Sequence, residues 1–186
     1  MAWHLQLRMA MTTTAETIDI GLKTDALTEV SDILQQVLAD AHVLYLKTRN
    51  YHWNLAGGRF HSLHALYEEQ YKAIEISIDE IAERIRMLGC ASPGSMSEML
   101  SFASLKERKG QLITPDDSLA SLLSDHETVI QMLRAAIASI EDSYQDAGTA
   151  DLLTGLLQDH EKMAWMLRSM TALETNDSQQ DPSRSQ

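Results

Sequence analysis

The chain has 186 residues, a formal net charge of −12 at neutral pH and a single cysteine, Cys90. That length makes one domain large enough to bury a core, and the surplus of acids repels nucleic-acid phosphates while attracting metal cations. One cysteine makes neither an intrachain disulfide nor a cysteine zinc cluster, which fits a reducing, cytoplasmic location. No apolar run approaches the roughly 18 residues of a membrane span. The opening segment MAWHLQLRMAM lacks the basic end and continuous apolar run of a signal peptide, and Met11 offers a second start.

In chain order, residues 1–23 read as a flexible tail closed near Gly21. From Asp25, the apolar residues Leu27, Val30, Leu34, Val37, Leu38, Ala41, Leu44 and Tyr45 recur at three and four, the period of a long helix with one buried stripe. Thr24 or Asp25 is placed to cap it, and Gly57 with Gly58 ends it, giving a helix over about 25–55. A second helix follows over about 60–88, along Leu63, Leu66, Tyr67, Ile74, Ile78, Ile81 and Ile85, until Gly89 stops it. The connection to residue 114 is too long for a simple turn. Within it Ser95 and Glu98 form a capping box for a short helix over about 95–103. Thr114-Pro115-Asp116-Asp117 combines a capping hydroxyl, a first-turn proline and acids at the positive end of the dipole, so a third long helix runs over about 115–144. Gly148 and Thr149 are expected to break the chain before a fourth over about 150–173, and residues 174–186 read as a disordered tail. The last two long helices repeat one another at an offset of 34: Leu122-Leu123-Ser124-Asp125-His126-Glu127 matches Leu156-Leu157-Gln158-Asp159-His160-Glu161. Packing demands explain the match as well as duplication does. Four long helices with one long crossover make an all-α four-helix bundle.

The residues with chemistry to offer crowd into one stretch, His52 to Glu83. His64 and Glu68 are four apart, as are Asp79 and Glu83, so each pair shares one helical face and is half a metal site. The eleven residues from Glu68 to Asp79 span roughly 16 Å yet return almost to the same stripe. One ion cannot touch both pairs. Either the helix carries two unrelated half-sites, or a two-fold axis sets the His64/Glu68 end of one subunit against the Asp79/Glu83 end of another. Bundles that hold two irons in their own core use Glu-x-x-His on two helices. No histidine here has a glutamate three residues before it, which disfavours such a centre.

Tyr51-His52-Trp53-Asn54, then Phe60-His61-Ser62-Leu63-His64, then Ile78-Asp79-Glu80-Ile81-Ala82-Glu83-Arg84-Ile85 resemble the Dps family, the ferritin-like DNA-protecting proteins of starved bacteria. The resemblance covers roughly residues 25–173. It implies a ferritin-like four-helix bundle with a short helix in the crossover, and a homo-oligomer of twelve copies closing into a hollow shell. It also implies a ferroxidase site at the dimer two-fold, with His52, His64 and Glu68 from one subunit and Asp79 and Glu83 from the other. Two iron(II) ions per site would be oxidised, preferably by hydrogen peroxide, and ferric oxide stored inside. Zinc is a possible substitute at the same donors. By the same resemblance Asp142, Asp146 and Asp151 are candidates for an iron-entry pore, although acids near a helix start also serve its dipole.

Other residues have plainer readings beside the functional one. Trp53 next to the site is a candidate acceptor for a stray oxidising equivalent, with packing the simpler account. His61 is a candidate accessory ligand or a surface residue. His42, His126 and His160 read as satisfied core histidines, and Lys72 is placed to neutralise Glu68. Two alternatives to the ferroxidase remain: direct DNA binding and condensation at the nucleoid, and a passive zinc or iron store. The tails are not lysine-rich, with Arg8 and Lys23 set against Glu16 and Asp19, and Arg184 against Glu174, Asp177 and Asp181, which disfavours direct DNA contact.

Overall fold

A computed structural model describes residues 18–109 and 112–177, with side chains up to 171. Five α-helices account for nearly all of it: α1 Thr24–Asn54, α2 Phe60–Met87, α3 Met96–Phe102, α4 Pro115–Ser139 and α5 Ala147–Asp177, with a π-helical turn Ile140–Tyr144 closing α4. Beyond the helices the described residues hold only an isolated bridge between Leu55 and Ile113.

Helices α1 and α2 form one antiparallel hairpin and α4 and α5 a second; α3 sits in the crossover that joins them. Each long helix turns its apolar stripe inward. Leu34, Leu38 and Leu44 of α1, Leu63, Ile74 and Ile81 of α2, Leu122 and Leu133 of α4, and Leu153 and Leu167 of α5 make one continuous core. Among the polar groups buried there, the Tyr67 phenol pairs with Ser118 Oγ at 2.7 Å, and burial pushes its pKa up to about 12.

The ends of the elements follow local chemistry. Lys23, not Thr24 or Asp25, occupies the N-cap of α1 and supplies no side-chain bond; Asp25 instead lies in the first turn, where a carboxylate favours the helix dipole. Gly89, at φ +88°, ends α2 through bonds from Cys90 N to Ile85 O and from Gly89 N to Arg86 O, a Schellman arrangement. A Cβ on Gly89 would lie 2.9 Å from Ile18 Cγ1, and Ile18 and Leu22 pack against the core, so the expected flexible tail over 1–23 is corrected at its end. The rest of that tail lies outside the described residues. At Ser95 both halves of the capping box form, with Glu98 Oε2 accepting from Ser95 N and Ser95 Oγ accepting from Glu98 N. The buried Asp40 of α1 then fastens the crossover, accepting from Ser104 N, Ser104 Oγ and Leu105 N at 2.7–2.8 Å.

The break between α4 and α5 is not at Gly148. The chain turns at Gln145, a left-handed residue with φ 56°, and α5 begins at Ala147 rather than near 150. Asp146 caps it, accepting from Thr149 N at 3.0 Å, and is held from α2 by Arg84 Nη2 at 2.8 and 3.0 Å. Gly148 serves that contact: a Cβ there would lie 3.2 Å from the Arg84 guanidinium. At its other end α5 runs on to Asp177, past the expected start of a tail at 174.

The repeat at an offset of 34 has a geometric meaning. His126 Nδ1 meets His160 Nδ1 at 2.9 Å, while Glu127 pairs with Arg168 and Arg134 with Glu161. Each contact is the other's image under exchange of residue n with n+34, so a local two-fold passes between the antiparallel helices at the histidines. Both imidazoles are buried, and His126 Nε2 has no hydrogen-bond partner among the described residues.

Burial holds the His160 pKa at about 4, and burial together with the neighbouring imidazole holds that of His126 well below the usual 6.5. The folded protein therefore binds fewer protons than the unfolded chain below pH 6.5, and stability falls with pH from there toward about 4. His160 alone accounts for about 2 kcal/mol at pH about 5. Urea unfolding at neutral and mildly acid pH should show this loss, and a His126→Leu/His160→Leu protein should show a flatter dependence over the same window.

Candidate metal centre

The five residues Leu55–Arg59 return the chain so tightly that the last turn of α1 faces the first turns of α2. His52 and His64 meet there and bind one another's backbone: His52 Nδ1 lies 2.8 Å from His64 O, and His64 Nδ1 lies 2.9 Å from His52 O. A carbonyl oxygen only accepts, so both Nδ1 atoms carry the proton. In the neutral ring that tautomer leaves the lone pair on Nε2, the form in which imidazole binds a metal. The rings stack at 3.6 Å with 18° between planes; Tyr71 sets its edge against His52 at 5.3 Å, and Phe60 lies 4.8 Å from His64.

Glu68, one turn beyond His64, brings a carboxylate to the same place. Ligand atoms of His52, His64 and Glu68 all lie within 4.8 Å of one another, the one group of three or more such side chains among the described residues. Lys72 Nζ lies 2.5 Å from Glu68 Oε1; that bond and its charge lower the Glu68 pKa, with smaller help from the two histidines. Two imidazoles and a carboxylate suit iron(II) or zinc, and three donors leave coordination positions open.

The other expected residues stand apart from this group within one chain. Asp79 and Glu83 are exposed on α2, close to the stripe of Glu68 and roughly 16 Å and 22 Å along it. His61 is exposed on the first turn of α2, outside the group. Trp53 is 56% exposed and covers the Arg49 guanidinium, 4.9 Å from its ring centroid. His42 bonds Leu38 O through Nδ1, and His126 and His160 lie in the bundle core. Asp142 and Asp151 are exposed beside the α4–α5 junction. Asp146 is corrected as a pore residue, because it is 3% exposed and its oxygens are taken by Arg84 and Thr149.

Sequence reasoning passed over the support behind His52. Arg49 lies 5.3 Å from the ring centroids of both Tyr45 and Tyr71 and donates to Tyr45 Oη at 2.6 Å; Tyr45 in turn donates to Glu75 at 3.1 Å. The signal was present: Tyr45, Arg49 and Trp53 follow one another at four-residue spacing on one face of α1.

A ferritin-like domain model matches residues 31–175. DNA protection during starvation protein 2 of Bacillus anthracis is 35% identical over 126 residues, 67% of this chain and 84% of its own. The chain belongs to the Dps family. A low-temperature-induced protein of Nostoc is 44% identical over 136 residues, 73% of this chain and 76% of that one. Among solved structures, the Dps protein of Vibrio cholerae, described as a member of a broad superfamily of ferritin-like diiron-carboxylate proteins, superposes with a TM-score of 0.79 at 31% identity. The superposition covers 86% of this chain and 99% of that one, so the Dps bundle is shared from end to end.

Because the three donors converge in a single chain, each should contribute to the affinity of the Dps protein for a first divalent ion. Zinc titration calorimetry should show His64→Ala and Glu68→Ala each weakening binding by about tenfold or more, or about 1.4 kcal/mol. Unchanged affinity in both variants would place the ion elsewhere.

Proposed function

We propose that this protein detoxifies and stores iron as a ferroxidase whose sites are shared between two subunits, protecting DNA from oxidative damage. The observation that carries this is the reciprocal bonding of His52 and His64 through Nδ1, together with ligand atoms of both rings and of the Glu68 carboxylate within 4.8 Å of one another. Membership in a ferritin-like family supports iron as the cargo.

Three donors from one chain hold one iron(II) incompletely, and a second ion needs more carboxylate. Asp79 and Glu83 supply it in this reading, from a second copy related by a two-fold axis; they share a stripe with Glu68 but lie too far along it to reach the same ion. Hard carboxylate oxygens gain affinity as iron(II) becomes iron(III), so the acids stabilise the product of oxidation. Two one-electron donors held together match hydrogen peroxide, a two-electron oxidant. Two iron(II), one peroxide and two waters give two ferric oxyhydroxide units and four protons. The paired transfer avoids the one-electron cleavage of peroxide that releases hydroxyl radical. The ferric product is stored inside a closed homo-oligomer, which we take to be a dodecamer in the cytoplasm.

A passive zinc or iron store is the second reading, because the same donor set satisfies zinc. Direct DNA condensation is weaker: the net charge of −12 opposes phosphate contact, so protection follows from removing iron and peroxide. No described helix is long and apolar enough to cross a membrane.

Iron(II) oxidation, followed optically after adding peroxide to anaerobic iron-loaded protein, separates these readings. The natural chain should oxidise iron rapidly and keep the product in solution. An Asp79→Ala/Glu83→Ala variant should be slower by about 10- to 100-fold or more, its helices unchanged by circular dichroism. Equal rates in the two proteins would refute the shared site, and rates equal to buffer in both would leave the passive store.

A further inference from the structure

One ligand of the candidate centre is already in use. Lys72 follows Glu68 by one turn of α2 and sets its ammonium 2.5 Å from Glu68 Oε1, on the carboxylate that has an oxygen within 4.8 Å of a ring nitrogen of each imidazole. A divalent ion bound to both Nε2 atoms and Glu68 would sit within a few ångströms of that ammonium. Like charges at such a distance repel, so the ion and Lys72 compete for one carboxylate.

Lys72 is built to lose that competition without being stranded. Its side chain is 60% exposed, so it moves freely, and Glu75, three residues on, already contributes to its electrostatic field. Glu75 is itself fixed in place, accepting from Tyr45, which accepts from Arg49. One lysine thus stands between two carboxylates on neighbouring turns, of which only Glu68 belongs to the ligand group.

We propose that Lys72 is an exchangeable counter-ion of the metal centre: it holds Glu68 until a divalent cation displaces it, then pairs with Glu75. The proposal rests on the metal-site reading of His52, His64 and Glu68 and adds a residue that sets the affinity of that site. The device suits a protein that stores its cargo elsewhere, because a centre that must pass its ion on is served by an internal cation ready to return.

The test is zinc calorimetry on the full chain at low and high ionic strength. Lys72→Met, which keeps length and removes charge, should bind zinc about three- to tenfold more tightly at low salt, an advantage that shrinks as salt screens it. Lys72→Arg should behave as the natural chain. Glu75→Gln should weaken binding by a larger factor with Lys72 present than in the Lys72→Met background, which a double-mutant cycle measures. If Lys72→Met binds zinc as the natural chain does while Glu68→Ala weakens binding, the exchange is wrong and the metal site stands. If Glu68→Ala and His64→Ala leave zinc binding unchanged, the metal-site reading falls and the exchange falls with it.

Discussion

Two imidazoles that each donate to the other's backbone carbonyl set the terms for this end of the molecule. The bonds from His52 Nδ1 to His64 O and from His64 Nδ1 to His52 O can form together only if the last turn of α1 and the first turns of α2 lie side by side. The short return through Gly57, at φ +110°, makes that approach possible, and Leu55 anchors it through its bridge to Ile113. Once the approach is made the tautomers follow, and with them the direction in which lone pairs face. Glu68 then needs only helical spacing to arrive at the same place. Tyr71, one of the three rings around Arg49 with Tyr45 and Trp53, also packs T-shaped against the His52 ring.

The other hairpin is organised by the opposite use of the same side chain. His126 and His160 also meet through Nδ1, but each faces another ring nitrogen rather than a carbonyl. One of the two must accept, so the pair shares a single proton between its Nδ1 atoms. They lie on the local two-fold of α4 and α5, flanked by the Glu127–Arg168 and Arg134–Glu161 pairs, so the repeat at an offset of 34 records one packing solution used from both sides. Exposed pairs of that kind contribute little to stability, and here they serve mainly to fix register.

Much of this was legible in the chain because helices announce their ends. The Ser95–Glu98 capping box, the Thr114-Pro115 start of α4 and the stop at Gly89 are local events between residues a few positions apart, and sequence shows such events directly. What stayed hidden depends on partners far along the chain. Gly148 reads as a breaker, yet it lies in the first turn of α5 and is small because Arg84, 64 residues earlier, needs the space. Asp146 reads as a free acid, yet Arg84 and Thr149 take its oxygens. At the candidate centre, His64 and Glu68 were legible by spacing alone. His52 sits across a turn on another helix, and its tie to His64 runs through backbone carbonyls, which carry no side-chain signature at all. Family resemblance, rather than periodicity, joined the two in advance.

The contrast between the two histidine pairs also explains why only one of them reads as a ligand set. Both pairs are close, so proximity does not separate them. What separates them is the partner of Nδ1 and the surroundings of Nε2. A carbonyl partner fixes the proton on Nδ1 of both rings at once, and ligand atoms of both rings lie within 4.8 Å of one another and of the Glu68 carboxylate. A ring partner fixes it on one only, and burial in the apolar core brings no carboxylate near: neither His126 nor His160 belongs to a group of three metal-ligating side chains among the described residues. A cation entering there would lose its hydration without gaining a compensating charge, whereas at His52 and His64 the Glu68 carboxylate supplies that charge. The chain therefore spends its histidines in two ways, and the choice between structure and chemistry is made by which atom lies opposite Nδ1.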